Sequence, residues 1–426
     1  MRESLFNYLE KISIGLIFLF IFSLFINSDR DAGKDLSNLH KLLTTEAVAQ
    51  TDGSKTTYPP GRQPVAIKDG KYPDSYFPNT ELLGHDEMRI TALGTGMPNV
   101  TKNQASISYF VELGNGDKFL FDLGGGSFTN LMALRPDFQK VDKVFASHLH
   151  TDHIGDFPLL LVGGWLSGRY TPLHIYGPTG ATPELGTKAF ADAQVKAWAW
   201  DVKGRSGALP DAGGKVEVHE FDYKAKNQVI YDQNGVIIRS WPAIHVLDGA
   251  VSYSLEWNGL KFIFGGDTYP NKWYIEYAKD ADVATHELFA PPEVLAKQFG
   301  WDMRQATWVA TRIHTGPQAF GKVMSAVKPR LAVGYHSTIT PTTVIDINDG
   351  VRETYDGPLV IAQDLMVINV TKDQIVVREV SVDDNAYPPG TSKGYKDAKR
   401  SGEAKVSEDI EAGKWKGYKP PPMPEK

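Results

Sequence analysis

The sequence of 426 residues contains no cysteine. This absence excludes disulfide bonds, thiolate metal ligands, a cysteine nucleophile and a lipid-modified N-terminal cysteine. The chain also lacks an excess of positive charge, since 45 basic and 51 acidic residues leave a net charge of −6. The chain therefore has no global basic field that would recruit nucleic acid or anionic lipid. The hydrophobic content of 42%, by contrast, is typical of a globular protein with a substantial core.

One long hydrophobic run lies near the start of the chain, at 12–26. Its residues, ISIGLIFLFIFSLFI, carry no charge. The run is short for a transmembrane helix and typical of the apolar core of an export signal. The first Ala-x-Ala cleavage motif after it is at 47–49, more than twenty residues beyond the run. We therefore interpret the segment as an export signal or a retained anchor, and we expect a periplasmic or other extracytoplasmic protein whose N-terminal segment contacts the membrane.

Composition divides the chain into four parts. Residues 1–50 contain the export segment, and 51–87 carry many proline, glycine and lysine residues, which indicates a linker or a surface arm. From 88 to 382, strand-like runs alternate with turn signals and predict one folded domain. The last part, 383–426, is rich in proline and lysine. It is predicted to wrap the surface or to be disordered.

The stretch richest in chemistry is 147–156, SHLHTDHIGD. It places His148, His150, Asp152 and His153 in the pattern H-x-H-x-D-H. The apolar runs VDKVFA before it and FPLLLVGGWL after it predict a strand and a helix. The cluster is thus expected on a strand-to-helix loop, where a sheet edge presents several side chains to one point. Imidazole and carboxylate ligands without thiolate suit zinc, with iron and manganese as alternatives. The pattern predicts a metal site.

Three further ligand candidates each follow an apolar, strand-like run. His245 follows IIRSWPAI, Asp267 follows LKFIFGG, and His336 follows RLAVGY. Because the metal loop also follows such a run, all of these side chains are expected at the same edge of the sheets. Asp122 ends another strand-like run, and it is predicted to buttress the metal loop rather than to bind metal.

The seven candidates divide into two metal sites that share one carboxylate. The predicted ligands of the first ion are His148, His150 and His245. Those of the second ion are Asp152, His153 and His336. Asp267 is predicted to bridge the two ions. Two ions close together lower the pKa of a bridging water until hydroxide forms near neutral pH. The sequence therefore predicts hydrolysis of an ester by a metal-bound hydroxide.

Together these motifs resemble the metallo-β-lactamase superfamily, and more narrowly its branch of ribonuclease Z and the zinc-type arylsulfatases. Besides the H-x-H-x-D-H box, the matching motifs are LGTGMP, FDLGGG, GDT, THELF and the pair His314-Thr315. The resemblance implies an α+β fold, the four-layer αβ/βα sandwich with two sheets between helices, and makes 88–382 a hydrolase domain. It also implies two zinc ions per chain, with manganese or iron as alternatives. Homodimers are common among relatives.

The resemblance implies catalytic roles for three residues. His314 is similar to the histidine of ribonuclease Z that is thought to protonate or neutralise the leaving group, and Glu287 would orient it. Asp152 would hold or accept the proton of the attacking water while it binds metal. Two departures weaken the match to an RNA-cleaving enzyme. Thr315 stands where that family has serine, and 337–340 lacks the family's arginine.

Substrate contacts are predicted from position along the chain. Trp165 lies in the helix after the metal box, and Trp241 precedes a predicted ligand by four residues. Both are candidate walls of an apolar substrate pocket, and His286 is a third candidate for substrate binding. His174 and His219, which lie in strand-like alternation, are interpreted as structural.

The leading hypothesis is an exported dinuclear-zinc hydrolase of a small ester, of the aryl sulfate or phosphodiester type. The insert at 177–232, which would carry the transfer-RNA arm in ribonuclease Z, has roughly balanced charges here. Nucleic acid is therefore not an expected partner. The alternatives are a ribonuclease Z-like endoribonuclease, another superfamily hydrolase (a lactonase, β-lactamase or hydrolytic dehalogenase) and a non-catalytic binding protein.

Overall fold

The computed structural model describes residues 48–51, 54–57, 65–67, 70–389, 394–396, 398–402 and 404–423. The predicted export segment at 12–26 lies outside these residues. Across the described ranges, no helix is both long and apolar enough to cross a membrane. The chain divides after Val65 into two compact units. The described part of the first unit contains a pair of short antiparallel strands.

Twenty strands occur in the described residues. The first ten are β1 (Val48–Thr51), β2 (Ser54–Thr57), β3 (Val65–Ala66), β4 (Ser75–Tyr76), β5 (Glu81–Leu82), β6 (Met88–Gly94), β7 (Ser108–Leu113), β8 (Lys118–Phe121), β9 (Lys143–Phe145) and β10 (Leu173–Pro178). The others are β11 (Val216–Phe221), β12 (Gln228–Gln233), β13 (Val236–Pro242), β14 (Val251–Trp257), β15 (Leu260–Phe264), β16 (Val283–Glu287), β17 (Leu331–Tyr335), β18 (Leu359–Ile361), β19 (Met366–Val370) and β20 (Ile375–Val380).

Eleven α-helices occur in the same described part of the chain. They are α1 (Ser127–Ala133), α2 (Thr151–Ile154), α3 (Phe157–Leu166), α4 (Thr187–Ala197), α5 (Ala199–Arg205), α6 (Lys272–Tyr277), α7 (Pro292–Phe299), α8 (Met303–Trp308), α9 (Pro317–Val327), α10 (Pro341–Arg352) and α11 (Glu408–Ala412). Helix α3 coincides with the predicted helix FPLLLVGGWL. A single π-helical turn, Val309–Ile313, follows α8.

Two large sheets are built from the described strands of the second unit. The nine-stranded sheet has the order β11-β10-β9-β8-β7-β6-β19-β20-β4, and the seven-stranded sheet has the order β12-β13-β14-β15-β16-β17-β18. Strands β8 to β11 are mutually parallel, and so are β15 to β18. Parallel neighbours bring their carboxyl ends to one edge of a sheet. Both sheets therefore have an edge that can assemble side chains from several strands.

The sheets pack face to face, and helices cover their outer faces. Aromatic rings fill the space between the sheets: Tyr109 lies 5.8 Å from Phe264, and Phe121 lies 5.5 Å from Phe262, measured between ring centroids. Burying each such ring stabilises the fold by roughly 1.5–3 kcal/mol. A second apolar cluster packs α1 and α3 on the nine-stranded sheet, and a third packs α6 to α10 on the seven-stranded sheet. The predicted four-layer sandwich is confirmed.

The folded domain begins before the predicted boundary at Met88. Strand β4 extends the nine-stranded sheet by parallel pairing with β20. The buried carboxylate of Glu81 accepts hydrogen bonds from the Arg378 guanidinium at 2.7 and 2.8 Å. Removing one partner of such a buried ion pair costs about 3–5 kcal/mol. The interpretation of 51–87 as a linker is therefore wrong for its last part, which belongs to the sheet and its core.

The described part of the C-terminal tail lies on the domain surface. The hydroxyl of Tyr395 donates to the backbone oxygen of Ala208 at 2.7 Å. The carboxylate of Asp211 accepts from the backbone N–H and from the hydroxyl of Ser401, both at 2.8 Å. Of the two predicted states of 383–426, these contacts favour the one in which the tail wraps the surface.

Candidate metal centre

The seven predicted ligands lie at the edge of the sandwich where parallel strands of both sheets end. The loop with the H-x-H-x-D-H box follows β9 in the nine-stranded sheet. In the seven-stranded sheet, His245 follows β13, Asp267 follows β15, and His336 follows β17. The strands before these side chains are apolar and largely buried. Strand direction alone therefore brings ligands from both sheets together, and we term the seven residues the metal centre.

The first group of ligand atoms is mostly buried, and His150 is its exposed member. The atoms offered by His148, His150, His245 and Asp267 all lie within 4.8 Å of one another. His150 Nδ1 is 3.0 Å from His148 Nε2 and 3.3 Å from His245 Nε2. Burial lowers the pKa of His148 well below its ordinary value and that of His245 to about 3. These imidazoles are thus neutral at pH 7, which is the form that binds metal.

The second group is buried. Its members Asp152, His153, Asp267 and His336 offer atoms that also lie within 4.8 Å of one another. His336 Nε2 is 3.1 Å from Asp267 Oδ2 and 3.2 Å from Asp152 Oδ2. All four side chains are at most 4% exposed. Asp267 belongs to both groups, which is the arrangement expected of a bridging carboxylate.

Two buried atoms of the second group test whether a metal ion fits. Among the described residues, His153 Nε2 and Asp267 Oδ1 have no hydrogen-bond partner. They lie only 3.1 Å apart, so they are close without being aligned for a hydrogen bond. Leaving a buried polar atom unsatisfied costs about 1–3 kcal/mol. A cation between the two atoms would satisfy both, and a donor set of nitrogen and oxygen suits zinc. The residues of the second group fit a metal ion.

The charges of the buried group point the same way. Burial alone would lower the pKa of His153, but Asp267, Asp152 and Asp122 raise it well above its ordinary value. The same balance, with Asp267 and Asp152 outweighing burial, raises the pKa of His336 to about 10. Conversely, burial alone would raise the pKa of Asp267, whereas His153 and His336 hold it well below its usual range. The carboxylates thus require adjacent positive charge, either protons on imidazole or metal ions that displace them.

Asp122 supports the metal box from behind. Its carboxylate accepts hydrogen bonds from the backbone N–H of Ser147 at 2.6 Å and from the Ser147 hydroxyl at 2.7 Å. It also lies 2.6 Å from His153 Nδ1, which turns His153 Nε2 toward the ligand cluster. Asp122 and His336 have φ angles of 55° and 71°. Residues other than glycine rarely adopt this left-handed backbone conformation, and such backbone strain is typical of functional sites.

His314 lies beside the ligand cluster and is held in one orientation. Its Nδ1 atom is 2.6 Å from Oε2 of Glu287, a residue with no exposed surface. The ring of Phe289 stacks on the imidazole at a centroid distance of 4.2 Å and an interplanar angle of 2°. The π-helical turn Val309–Ile313 ends immediately before His314, and such turns occur frequently at functional sites. The arrangement directs the second ring nitrogen, Nε2, away from Glu287.

Comparisons with known proteins agree with this geometry. Residues 104–278 match the family model described as the metallo-β-lactamase superfamily. Ribonuclease Z of Mycobacterium marinum is 30% identical over 207 residues, which cover 47% of this chain and 70% of that protein. The chain belongs to the metallo-β-lactamase superfamily. Ribonuclease Z of Mycolicibacterium paratuberculosis is 31% identical over 208 residues, with the same coverage of 47% and 70%. The chain therefore lies in the ribonuclease Z-like branch.

A solved structure has a fold similar to that of this chain. The metallo-β-lactamase fold protein YhfI from Bacillus subtilis aligns with a TM-score of 0.50 and 17% identity over 67% of this chain and 100% of that one. The predicted family and fold class are confirmed. So is the predicted enzyme class, since the superfamily and its ribonuclease Z members indicate a metal-dependent hydrolase of ester bonds.

The three predicted substrate contacts are wrong, because each side chain lies in the core. Trp165 is 1% exposed, and its indole N–H donates to a backbone oxygen at 2.9 Å. Trp241 and His286 have no exposed surface, and the ring of Tyr274 packs against His286 at 4.6 Å. Trp241 packs in the layer between the seven-stranded sheet and its helices. Nearness in sequence to a ligand does not decide which face of a strand carries a side chain.

Two cavities flank the loop that carries His245. The first, about 390 Å³, reaches the metal ligands and has a mainly apolar wall. Its apolar side chains include Leu149, Phe190 and Leu247, and Asp248 stands at its rim. Among the described residues, no lysine or arginine lines it. We term it the apolar cavity.

The second cavity, about 420 Å³, also contains His245; two lysines and two aromatic rings line it, together with apolar residues and Asp248. The ammonium group of Lys224 lies 5.2 Å from the ring centroid of Tyr223, and that of Lys226 lies 5.9 Å from the ring centroid of Trp273. Cation–π contacts of this kind hold the rings and the charges together. We term it the lysine groove. The metal centre is thus open to an apolar and a cationic surface at once.

Two residues that support the site were missed by the sequence analysis. Phe289, which stacks on the catalytic candidate, is the last residue of the THELF motif, so a signal for it was present. Asp364 accepts from the Ala105 backbone N–H at 2.6 Å and from the Thr95 hydroxyl at 2.8 Å. The Thr95 backbone oxygen in turn accepts from the His336 N–H at 2.8 Å. Asp364 therefore anchors the loop that holds a ligand, and no motif marks it.

Proposed function

We propose that the chain hydrolyses phosphodiester bonds in RNA, as its relatives named ribonuclease Z do. The observation that carries this proposal is the pair formed by His314 and Glu287, with 2.6 Å between Nδ1 and Oε2, beside the metal centre. Cleavage of an RNA phosphodiester releases a ribose alkoxide, a poor leaving group that needs a proton. A phenolate released from an aryl ester needs far less help. A positioned general acid therefore favours the phosphodiester.

The metal centre supplies the other half of the chemistry. Two zinc ions, held by the seven ligands with Asp267 shared, would activate the attacking water and neutralise the charge on the phosphoryl oxygens. Asp152 takes up the proton that the water loses, since its carboxylate lies in the buried ligand group. His314 gives its Nε2 proton to the leaving oxygen. Glu287 holds the imidazole in the tautomer that this step requires and stabilises its cationic form.

The lysine groove supports an RNA substrate. The expectation against nucleic acid rests on the net charge of −6 and on the roughly balanced charges of the insert at 177–232, yet the relatives named ribonuclease Z act on RNA. Within that insert, Lys224 and Lys226 stand beside Tyr223 and Trp273, and they outnumber the one carboxylate of the lining, Asp248. Lysines that follow a phosphate backbone and aromatic rings that stack on bases are the usual elements of single-strand binding. The groove thus carries a local excess of positive charge, which the chain as a whole lacks.

A second candidate function is favoured by the apolar cavity. Its wall of Leu149, Phe190 and Leu247 suits the aromatic part of a small aryl ester, such as an aryl sulfate. Export to the periplasm and membrane contact through 12–26 belong to this second candidate, because an exported enzyme would not meet transfer-RNA precursors. Both candidates use the same metal centre and differ in which surface beside His245 takes the substrate.

The experiment compares substrates on the zinc-loaded full chain. Bis-p-nitrophenyl phosphate, p-nitrophenyl sulfate and a transfer-RNA precursor are assayed with the wild type and with the Lys224→Gln/Lys226→Gln variant. We expect RNA cleavage to fall about thirtyfold in the variant, at a cost of about 1 kcal/mol for each of the two lost phosphate contacts, with bis-p-nitrophenyl phosphate turnover unchanged. The log–log salt dependence of RNA binding should flatten by about 1.4, or about 0.7 per contact.

The matched control removes two lysines elsewhere. Lys322→Gln/Lys372→Gln takes the same charge from α9 and from the turn after β19, away from the groove, and should leave RNA cleavage unchanged. Turnover of p-nitrophenyl sulfate without any cleavage of RNA would reject the proposal and select the second candidate. Equal losses of RNA cleavage in the two double variants would show that the lysine groove does not bind the RNA.

A further inference from the structure

A second histidine cluster lies away from the metal centre, on β10 and β11. His174 belongs to β10, and Glu217 and His219 belong to β11, the edge strand of the described sheet. The parallel register pairs His174 with Glu217 directly. Glu217 and His219 are two residues apart on one strand, so they share a face of the sheet. Their three ligand atoms lie within 4.8 Å of one another. We term these three residues the edge cluster.

The distances within the edge cluster match those of a metal site. His174 Nδ1 lies 2.9 Å from His219 Nε2 and 3.5 Å from Glu217 Oε2. Two imidazole nitrogens on one tetrahedral zinc ion lie roughly 3.3 Å apart, given Zn–N bonds of about 2.0–2.1 Å. The observed spacing needs to open by only a few tenths of an ångström. In the metal centre, His148 Nε2 and His150 Nδ1 approach each other in the same way, to 3.0 Å.

The surroundings of the edge cluster hold its ligands and admit an ion. The ring of Tyr176 stacks on His219 at a centroid distance of 4.2 Å and an interplanar angle of 9°, which limits rotation of the imidazole. The side chain of His174 is 25% exposed and that of Glu217 is 53% exposed, so a hydrated ion can enter and keep water.

A nearby lysine does not oppose a cation here. Lys143 on β9 is aligned with His174 in the parallel register. Its ammonium group lies 2.5 Å from the carboxylate of Asp142, which neutralises it. The remaining charge at the cluster is that of the Glu217 carboxylate, which attracts a cation.

We propose that His174, Glu217 and His219 form a third metal site, which takes a borderline divalent cation such as Zn²⁺. Two imidazoles and one carboxylate leave a coordination position for water. The site is separate from the metal centre, because His174 aligns with Lys143 at the amino end of β9, whereas the metal box begins after its carboxyl end. His219 lies on β11, two strands or about 10 Å across the sheet from β9. The ion would join the edge strand β11 to β10 and so stabilise the sheet.

The first measurement is the stoichiometry of zinc on the full chain. Zinc-loaded protein is titrated further with Zn²⁺ by calorimetry, and bound metal is counted after equilibrium dialysis. We expect His174→Ala and His219→Ala each to bind about one equivalent less than the wild type, and Glu217→Gln to bind the last equivalent about tenfold more weakly. His85→Ala removes an exposed histidine outside every ligand group and should bind like the wild type.

The second measurement is thermal unfolding, which separates loss of metal from loss of fold. An ion that binds only the folded state stabilises it, so added Zn²⁺ should raise the Tm of the wild type more than that of the variants. His219→Gln preserves a polar side chain against Tyr176 and serves if His219→Ala does not fold. Hydrolysis of bis-p-nitrophenyl phosphate should be unchanged in every edge-cluster variant. Equal zinc stoichiometry in the wild type and both histidine variants would overturn the proposal.

Discussion

The metal centre and the edge cluster use the same kinds of side chain, but the protein holds them differently. The metal centre gathers ligands from both sheets, and its second group is at most 4% exposed. The edge cluster draws on two neighbouring strands of one sheet, and the Glu217 side chain is 53% exposed. Behind the metal centre, Asp122 binds His153 directly. Behind the edge cluster stands the ring of Tyr176, which restrains His219 without a hydrogen bond.

This contrast explains why one cluster suits catalysis and the other suits structure. In the buried group, Asp152 and Asp267 force positive charge onto neighbouring imidazoles, so binding of metal must release protons. Low solvent access also strengthens every electrostatic interaction in the site. In the edge cluster, water screens the single carboxylate, so an ion there is held more weakly and contributes to stability by mass action. The two clusters should therefore respond differently to loss of one carboxylate.

The strongest test of the contrast is Asp267→Ala. This change removes the carboxylate that both ligand groups share. We expect turnover of bis-p-nitrophenyl phosphate to fall by more than about 10³-fold, since loss of even one stabilising donor in an active site costs about 10²–10³. Metal analysis should show loss from the metal centre and retention at the edge cluster. Both quantities are measured on the same preparation.

A buried carboxylate with a structural role serves as control for that change. Asp282 binds the Arg330 guanidinium at 2.7 Å and lies at the opposite end of the seven-stranded sheet from the ligands. Asp282→Asn should lower the free energy of unfolding while leaving zinc content and turnover intact. If Asp267→Ala kept its zinc and its activity, the assignment of Asp267 as the shared ligand would be wrong.

A second test concerns His314, the proposed proton donor beside the metal centre, which has no counterpart at the edge cluster. His314→Gln removes the proposed proton donor but none of the seven predicted ligands. We expect kcat on RNA to fall on the order of 10²-fold, since general acid catalysis contributes about 10²–10⁴. The loss on bis-p-nitrophenyl phosphate should be much smaller, because nitrophenolate leaves without a proton. Zinc content should stay constant.

Glu287→Gln completes this test as a double-mutant cycle. Glu287 acts through His314, with 2.6 Å between their facing atoms, so the two losses should not add. The double variant is expected to be about as slow as His314→Gln alone. Fully additive losses would show that Glu287 supports the site in some other way, and equal losses on both substrates would contradict proton donation.

The contrast between the clusters also shows what the sequence reveals. The convergence of the seven candidate ligands was predictable because these positions follow apolar runs, and parallel strands that end at one edge must bring such positions together. The burial of Trp165 and Trp241 was not predictable, since sequence spacing does not say which layer of the sandwich a side chain enters. Asp364 bonds to Thr95 across 269 positions of the chain, so only the folded structure reveals it.

The edge cluster lay beyond sequence analysis for the same physical reason. His174 and His219 are 45 positions apart. Each lies in ordinary strand-like alternation, so each alone is typical of a structural residue. Their approach depends on the pairing of β10 with β11 in one register, and a shift by one residue would place them on opposite faces. Fold class and ligands at strand ends were therefore predictable, whereas contacts set by strand register were not.

The smallest expected effect comes from the support behind the ligands, through Asp122→Asn. Asparagine keeps the shape of the side chain but replaces one oxygen that faces Ser147 and His153 with a donor. Losing such a supporting carboxylate weakens metal binding about 10–100-fold, because the ligand is no longer held in its tautomer and orientation. Asp156→Asn is the matched control: its carboxylate is buried on the same loop but accepts from the Phe128 backbone N–H at 3.0 Å. Zinc affinity, measured by competition with a chelator, should fall in Asp122→Asn only. If both variants weaken binding equally, the loss reflects the fold of the loop and not the contact with His153, and the main difference between the two clusters would then be burial rather than support.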